Sequence, residues 1–522
     1  MENKVYILDS TLRDGSQGFG VNYSTADKLG IIELLDNIGI DYIEVGNPYS
    51  NPRDREIFEK LKTVKLKNSS IVAFGSTRRK DSDAKEDPNL KALVEAGTDI
   101  CTLFGKCSMF QTISILETTP QENLKMIEES CRFLKLNGKK VFFDAEHFFD
   151  GYLENKDYAM KCVKAAVSGG AELICLCDTN GGTFPSAAAN IVKHLLKEID
   201  IPVGVHFHDD CGVAVAASVA CARIGASHIQ GTFLGVGERC GNACLSTIIP
   251  DLQLKFGMEC IPQDNLKLVT RCAKEMAAIS NADLHSSMPF VGEAAFAHKA
   301  GMHAAAVIKN PRSFEHIDPY LVGNKRKFPT SEISGRTVIF ERIHEIFPEL
   351  SNYSSETDKI LAEIKRLESI GYQFEGADAS FELLVRKQLG MFTPRFSLIN
   401  YRIYTGVGVN EEYSASATVK IKVGDEIRLM AAEGNGPVNA LDTAIRKALE
   451  TFFPILAEVK LTDYKVRVLE GNKATAASVR VLITSTCGKK KFTTVGVSQD
   501  VVDASWKAIE DSIEYILYHH KS

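Results

Sequence analysis

One pattern recurs eight times in the first 240 residues. A short apolar run, rich in β-formers, ends in polar residues, and an amphipathic stretch follows it. The runs are 5–10 (VYILDS), 42–46 (YIEVG), 69–76 (SSIVAFGS), 99–106 (DICTLFGK), 140–148 (KVFFDAEHF), 172–179 (ELICLCDT), 203–210 (VGVHFHDD) and 227–235 (SHIQGTFLG). Their near-continuous hydrophobicity suits strands buried on both faces, as in a parallel sheet. Intervening segments such as 25–39 and 121–138 carry apolar residues at three- and four-residue spacing and end in glycine, which predicts helices. Eight alternating units of this size predict an α/β chain with a (β/α)8 TIM barrel. An open doubly wound sheet is the alternative, but no G-x-G-x-x-G follows the first strand.

After Leu245 the pattern turns helical, with helices expected over 265–280, 344–371 and 380–390 and a polar irregular stretch over 316–336. From Phe396 onward, strand-like alternation leads into a helix over 435–453, and the same order recurs before a helix over 500–518. Two copies of strands followed by a helix predict an internally repeated α+β domain. The expected organisation is a barrel over 1–260, helical subdomains over 261–394 and the α+β domain over 395–522.

The net charge of −6 offers no basic excess of the kind that marks nucleic-acid binding. No run of about 18 apolar residues exists, so no membrane span is expected. The opening MENKVYILDS lacks the apolar core of a signal peptide. Cys101, Cys175 and Cys177 fall inside apolar runs, where cysteine acts as a small hydrophobe, not in a spaced disulfide framework. A soluble protein of the reducing cytoplasm is expected.

His206 and His208 are two apart on a strand and therefore share a face. Alone, such a pair is more often hydrogen-bonded structure than a metal site. Its surroundings favour the metal. Catalytic residues of TIM barrels gather at the C-terminal strand ends, and here those ends carry Arg13 and Asp14, Glu44, Asp144, Glu146 and His147, Asp178, Thr179 and Asn180, and Glu238, Arg239 and Asn242. Some of these will cap helices and close loops. That reading explains poorly two histidines, an arginine and at least four acids at one end. One carboxylate, two imidazoles and water suit Mg²⁺, Mn²⁺ or Zn²⁺. Such an ion can chelate a 2-oxo acid and polarise its carbonyl, with an arginine stabilising the developing oxyanion.

The runs LDSTLRDGSQ, VHFHDD, GERCGNACL and AFAHKAGMH together resemble the Claisen-type acetyl-CoA condensing family, which includes isopropylmalate, homocitrate and citramalate synthases. Its barrel also serves the lyase that cleaves hydroxymethylglutaryl-CoA. The H-x-x-G-x-H of His298–His303 narrows the resemblance to the condensing synthases. DAEHFFDGY (144–152), CDTNGGT (177–183), FEHIDPYLVGN (314–324) and FEGADASFELL (374–384) are similar to the longer, citramalate-forming subgroup.

The resemblance implies that Asp14, His206 and His208 ligate a divalent cation, with Asn242 as a further ligand. It implies that Arg13 polarises the keto oxygen, Thr179 holds the substrate carboxylate and Glu146 serves in acid/base chemistry. His303, from a neighbouring subunit, would help deprotonate the acetyl methyl group of the co-substrate acetyl-CoA. Asp144 and Phe104 are placed at the 2-oxo acid, with Leu103 and Phe104 as apolar walls. Lys106 would either pair with a distal carboxylate of 2-oxoglutarate or, as the favoured reading, stand solvated or contact a CoA phosphate. The C-terminal domain is similar to the family's regulatory and dimerisation domain, so a homodimer or higher homo-oligomer is expected. Its end-product effector would be isoleucine, with the turn at Gly434 and Gly436 before a helix N-terminus as part of the site; an ordinary strand–helix turn would use glycine equally well. Phe314 stands where relatives often carry tyrosine, and Asp209 where asparagine is usual. A sister synthase using a branched or dicarboxylic 2-oxo acid, a lyase on the same barrel, and a non-catalytic amino-acid sensor are the competing readings. The H-x-x-G-x-H motif and the C-terminal domain oppose the lyase. The intact Arg13, Asp14 and histidine pair oppose the sensor.

Overall fold

The computed structural model describes residues 3–282, 284–328, 340, 342–344, 346–348, 355–407, 413–469, 477–488 and 490–520. Residues 329–336 of the polar stretch and 349–354 of the following helical run lie outside them. Two compact units emerge, one of Met1–Phe296 with Ile317–Arg326, the other of Ala297–His316 with Lys327–Ser522.

In the first unit, eight parallel strands close into a barrel in chain order. They are β1 (Tyr6–Asp9), β2 (Tyr42–Gly46), β3 (Ser70–Ser76), β4 (Ile100–Lys106), β5 (Lys140–Glu146), β6 (Leu173–Asp178), β7 (Val203–Phe207) and β8 (His228–Gly231). β8 returns to β1 with Ile7 opposite Ile229. Alternation along each strand separates two cores. Ile7, Ile43, Ala73, Leu103, Phe143, Leu176, Val205 and Ile229 point outward under the helices. Leu8, Val72, Ile100, Phe142, Leu173 and Cys175 fill the lower interior.

The helices between strands start where their sequences say they should. The helix Thr25–Ile38 opens on a capping box, in which Ser24 Oγ accepts from Asp27 N–H and the Asp27 carboxylate accepts from Ser24 N–H. It ends at Gly39, whose φ of 89° lies in the left-handed region. Helices Pro52–Leu61, Pro88–Glu95, Pro120–Leu136 and Pro185–Leu195 begin with proline, whose missing N–H costs nothing at that position. The helix expected over 265–280 divides into a 3₁₀ turn, Gln263–Leu268, and the α-helix Val269–Ile279.

In the second unit, β9 (Ser397–Val407), β10 (Tyr413–Val423) and β11 (Glu426–Gly434) form one antiparallel sheet, followed by the helix Pro437–Leu449. The second copy is β12 (Val459–Val468), β13 (Val479–Cys487) and β14 (Lys490–Ser498), followed by the helix Val501–His519. Leu441 and Ile445 of one helix and Ile509 and Ile513 of the other belong to one shared core. The helices Ser355–Ser369 and Asp378–Gln388 form a further cluster around Phe374 and Phe381. Among the described residues no helix is long and apolar enough to cross a membrane.

Candidate active site

Tight packing of the turn after β1 against the β8 loop creates the centre of the site. Gly15 N–H donates to Ser10 O at 3.0 Å, and Asp14 N–H donates to Ser10 Oγ at 3.3 Å, which turns the Asp14 carboxylate inward. Asn242 Nδ2 donates to Asp14 Oδ1 at 3.0 Å. A Cβ at Gly237 would fall 2.1 Å from that same Nδ2, so only glycine permits the approach.

His206 is on β7, while His208 lies one residue past the end of the strand, correcting the expectation that both sit within it. A backbone bridge to Asn242 continues the alternation and keeps His208 facing inward. The two Nε2 atoms stand 3.7 and 3.8 Å from Asp14 Oδ2. Those gaps are too long for hydrogen bonds, and they suit donors gathered around an ion at about 2.1 Å from each. Burial, and then the neighbouring His208, push His206 down to about 3; burial likewise lowers His208. Both are neutral ligands in waiting. Burial alone would raise Asp14, but the Arg13 guanidinium, helped by the hydrogen bond from Asn242, works against it, and the carboxyl stays well below the usual carboxylate range. The buried Asn242 Oδ1 has no hydrogen-bond partner, which leaves one more oxygen donor beside the trio. The donor set fits a divalent cation.

Arg13 is pinned on three sides. Its Nε donates to Glu44 Oε2 at 2.7 Å, its Nη1 donates to Asp14 Oδ2 at 2.8 Å, and its guanidinium lies 3.9 Å over the Phe74 ring. Phe74 and Phe104 stack at 5.1 Å. Arg13, Asp14, Phe74 and Phe104 line a cavity of ≈ 240 Å³ together with Asp144, Glu146, Cys177, Thr179, His206, His208 and Glu238. Asp144 Oδ1 accepts from Gln230 Nε2 at 2.8 Å, and burial, reinforced by Glu44, pushes this carboxyl up to about 8. Thr179 Oγ1 accepts from His147 N–H at 2.8 Å, which leaves the hydroxyl proton available to a ligand. Glu146 Oε2 is 2.7 Å from Lys106 Nζ.

Several sequence expectations separate here. Arg13, Asp14, Phe104, Asp144, Glu146, Thr179, His206 and His208 share the cavity lining. Leu103 does not; it is fully buried in the outer core, because successive residues of a strand face opposite ways. Phe74 takes its place as the second wall. Nothing in the β3 run distinguished Phe74 from a core residue, and Gln230 was legible only as a polar residue in a buried strand. Asp209, unexplained by sequence, accepts from Ala214 N–H at 2.8 Å in the first turn of the helix Ala214–Arg223. Arg239 grips Asp210 with two bonds of 2.8 and 2.9 Å and joins the β7 and β8 loops.

In the second unit, His303 is exposed on the helix Gly301–Lys309, with its ring stacked 4.1 Å from Phe314. His298 Nε2 lies 3.2 Å from Glu315 Oε1. Gly434 ends β11, where a Cβ would meet Ala440 N at 2.5 Å, and Gly436 caps the helix Pro437–Leu449. Asn439 Oδ1 already accepts the Asn435 N–H in that turn.

Comparison with known proteins agrees along the whole chain. Residues 4–270 match the HMGL-like family model, 290–371 the homocitrate synthase post-HMGL domain-like model, and 375–517 the LeuA allosteric (dimerisation) domain model. An (R)-citramalate synthase of Aquifex aeolicus is 48% identical over 99% of this chain and 98% of its own length. One of Geobacter sulfurreducens is 46% identical over 99% and 98%, and one of Synechocystis is 42% identical over 98% and 96%. Relatives of one description, 42–48% identical and matched over nearly their full length, place the chain: it belongs to the (R)-citramalate synthase family.

Proposed function

We propose that this chain is an acyltransferase that joins the acetyl methyl carbon of acetyl-CoA to C2 of pyruvate and hydrolyses the thioester, releasing citramalate and CoA. The observation that carries the reading is the small polar cavity around Asp14, His206, His208 and Arg13. At ≈ 240 Å³ it lies below the ~300–1,000 Å³ of drug-sized ligand pockets, and the Phe74–Phe104 stack walls its apolar side.

Asp14, His206 and His208, with Asn242 beside them, would hold a divalent cation (Mg²⁺, Mn²⁺ or Zn²⁺), which supplies Lewis acidity toward the keto oxygen. Arg13 donates to the same oxygen, and its pinned position means that no reorganisation is needed as negative charge grows there. The Thr179 hydroxyl donates to the substrate carboxylate. Asp144 faces the 2-oxo acid from β5. Glu146 exchanges protons with the nascent alkoxide or orients the hydrolytic water. His303 is assigned removal of the acetyl methyl proton on its motif alone.

The Lys106–Glu146 pair bears on the choice of acid. Lys106 is engaged by Glu146 at 2.7 Å, so it is not free for the distal carboxylate of 2-oxoglutarate. That favours pyruvate over a dicarboxylic substrate. The catalytic assignment covers 1–260, with 261–394 contributing, while 395–522 is assigned dimerisation and binding of isoleucine as a feedback effector near Gly434 and Gly436.

Release of CoA, followed with a thiol reagent while pyruvate, 2-oxobutyrate, 2-oxoisovalerate and 2-oxoglutarate are offered in turn, tests the reading. Pyruvate is expected to give the highest kcat/KM; any other order overturns the substrate assignment.

A further inference from the structure

The trio around Asp14 is not the only ligand cluster inside the barrel. Asp144, Cys175 and Cys177 are all buried, and their carboxylate oxygen and two Sγ atoms lie within 4.8 Å of one another. Asp144 on β5 is the register partner of Cys175 on β6. Cys177, two residues further, points into the same interior. The Cys177 thiol donates to the Cys175 carbonyl oxygen at 3.8 Å. Gln230 donates to Asp144 Oδ1 at 2.8 Å, which fixes the orientation of the carboxyl. Asp144 and Cys177 also line the cavity, so the group has an entry route.

We propose that Asp144, Cys175 and Cys177 form a second metal site, selective for a thiophilic ion of the zinc and cadmium class, in the floor of the pocket. Two sulfurs and one oxygen make a soft donor set, whereas Asp14, His206 and His208 offer only oxygen and nitrogen. Mg²⁺ demands oxygen donors and has no reason to leave the upper trio for the lower one. Three protein ligands with a fourth position open to the cavity follow the pattern of accessible zinc centres. Capture forms two metal–sulfur bonds and one metal–oxygen bond, and it expels the two thiol protons and the proton of the Asp144 carboxyl to solvent through the cavity. A buried cysteine pair can also be plain packing. Packing alone does not account for a carboxyl group set against both sulfurs and held there by Gln230. An ion in this site takes Asp144 away from the 2-oxo acid, so it inhibits; that consequence rests on the proposed function, and the binding itself does not.

The test titrates Cd²⁺ into the full chain, already saturated with Mg²⁺, and reads the ultraviolet thiolate-to-cadmium charge-transfer band. Cys211 and Cys240, the exposed cysteines, are first changed to serine to silence the surface. The expected result is a band that saturates at one cadmium per chain and is lost when Cys177→Ala is added. No band in the surface-silenced chain, or a band that survives Cys177→Ala, overturns the site. Because Cys177→Ala could disturb folding, cadmium NMR of the surface-silenced chain gives a second reading. A resonance in the range for two sulfur ligands supports the site; oxygen and nitrogen ligation alone overturns it. Neither reading depends on turnover, so failure of the citramalate reaction would leave both intact.

Discussion

His228 and His206 stand on neighbouring strands, both buried, each pushed by burial to about 3. His228 faces the rings of Tyr42 and Phe142 at 5.7 and 5.6 Å, among the lower interior residues, and neither of its ring nitrogens has a hydrogen-bond partner. His206 faces His208 and the Asp14 carboxylate at the upper end. Burial neutralises both imidazoles, so neutrality alone does not make a ligand. What makes one is a shared anion within reach. The lower half of the barrel uses its histidine as an aromatic filler; the upper half uses chemically identical rings as donors.

The sharpest way to break this contrast is to remove one histidine from each end. His208→Ala should lower kcat/KM by at least ~10³-fold, since charge stabilisation by a metal is worth several kcal/mol. Its far-ultraviolet circular dichroism should not change. His228→Leu replaces two unpartnered nitrogens by carbon, which at a buried site is near neutral or stabilising. Activity should stay within ~3-fold of the parent. If His228→Leu costs as much activity as His208→Ala, the division between the two ends is wrong.

Next in size is a cavity in the lower layer. Phe142 is 6% exposed and packs edge-on to Tyr42 at 5.2 Å. Phe142→Ala should cost about 3–5 kcal/mol in denaturant unfolding. Remaining folded protein should turn over with little change in KM for pyruvate. A large KM effect with unchanged stability would mean that the lower layer belongs to the substrate pocket after all.

Phe104→Ala probes the boundary between the halves. Removing one face of the stacked pair lengthens the pocket without touching Asp14 or Arg13. One methylene in an apolar pocket is worth about 1–3 kcal/mol, so the ratio of kcat/KM for 2-oxobutyrate over pyruvate should rise by roughly tenfold. An unchanged ratio would show that the Phe74–Phe104 wall does not read the substrate's methyl end.

The eight strands were legible because both faces of each are buried, which writes the strand into an apolar run whatever its neighbours are. The trio was legible because Asp14, His206 and His208 are polar where a barrel wants apolar filling. Phe74 and Leu103 show where that logic ends. Both are apolar residues in apolar runs, and only the inward or outward phase of each strand, fixed by closure of the barrel, decides that Phe74 lines the cavity and Leu103 the outer core. The end of β7 is hidden from the sequence for a related reason. His208 keeps its inward direction through a bridge to Asn242, a residue 34 positions away, and no local pattern records that pairing.

Asp209 supplies the smallest and most discriminating test. It follows His208 directly, yet its Oδ1 accepts from Ala214 N–H in the helix Ala214–Arg223, and its own N–H donates to Gly241 O at 3.0 Å. Its side chain therefore serves the helix start, where an acceptor satisfies an otherwise orphaned donor and a negative charge meets the positive end of the helix. Asp209→Ala should lower stability by about 1 kcal/mol, while Asp209→Asn, which keeps the acceptor and loses the charge, should cost only a few tenths of that scale. Neither should change kcat/KM by more than ~3-fold. A loss of activity approaching that of His208→Ala, with stability intact, would move Asp209 from the helix it caps into the chemistry beside it, and would extend the upper cluster by one carboxylate.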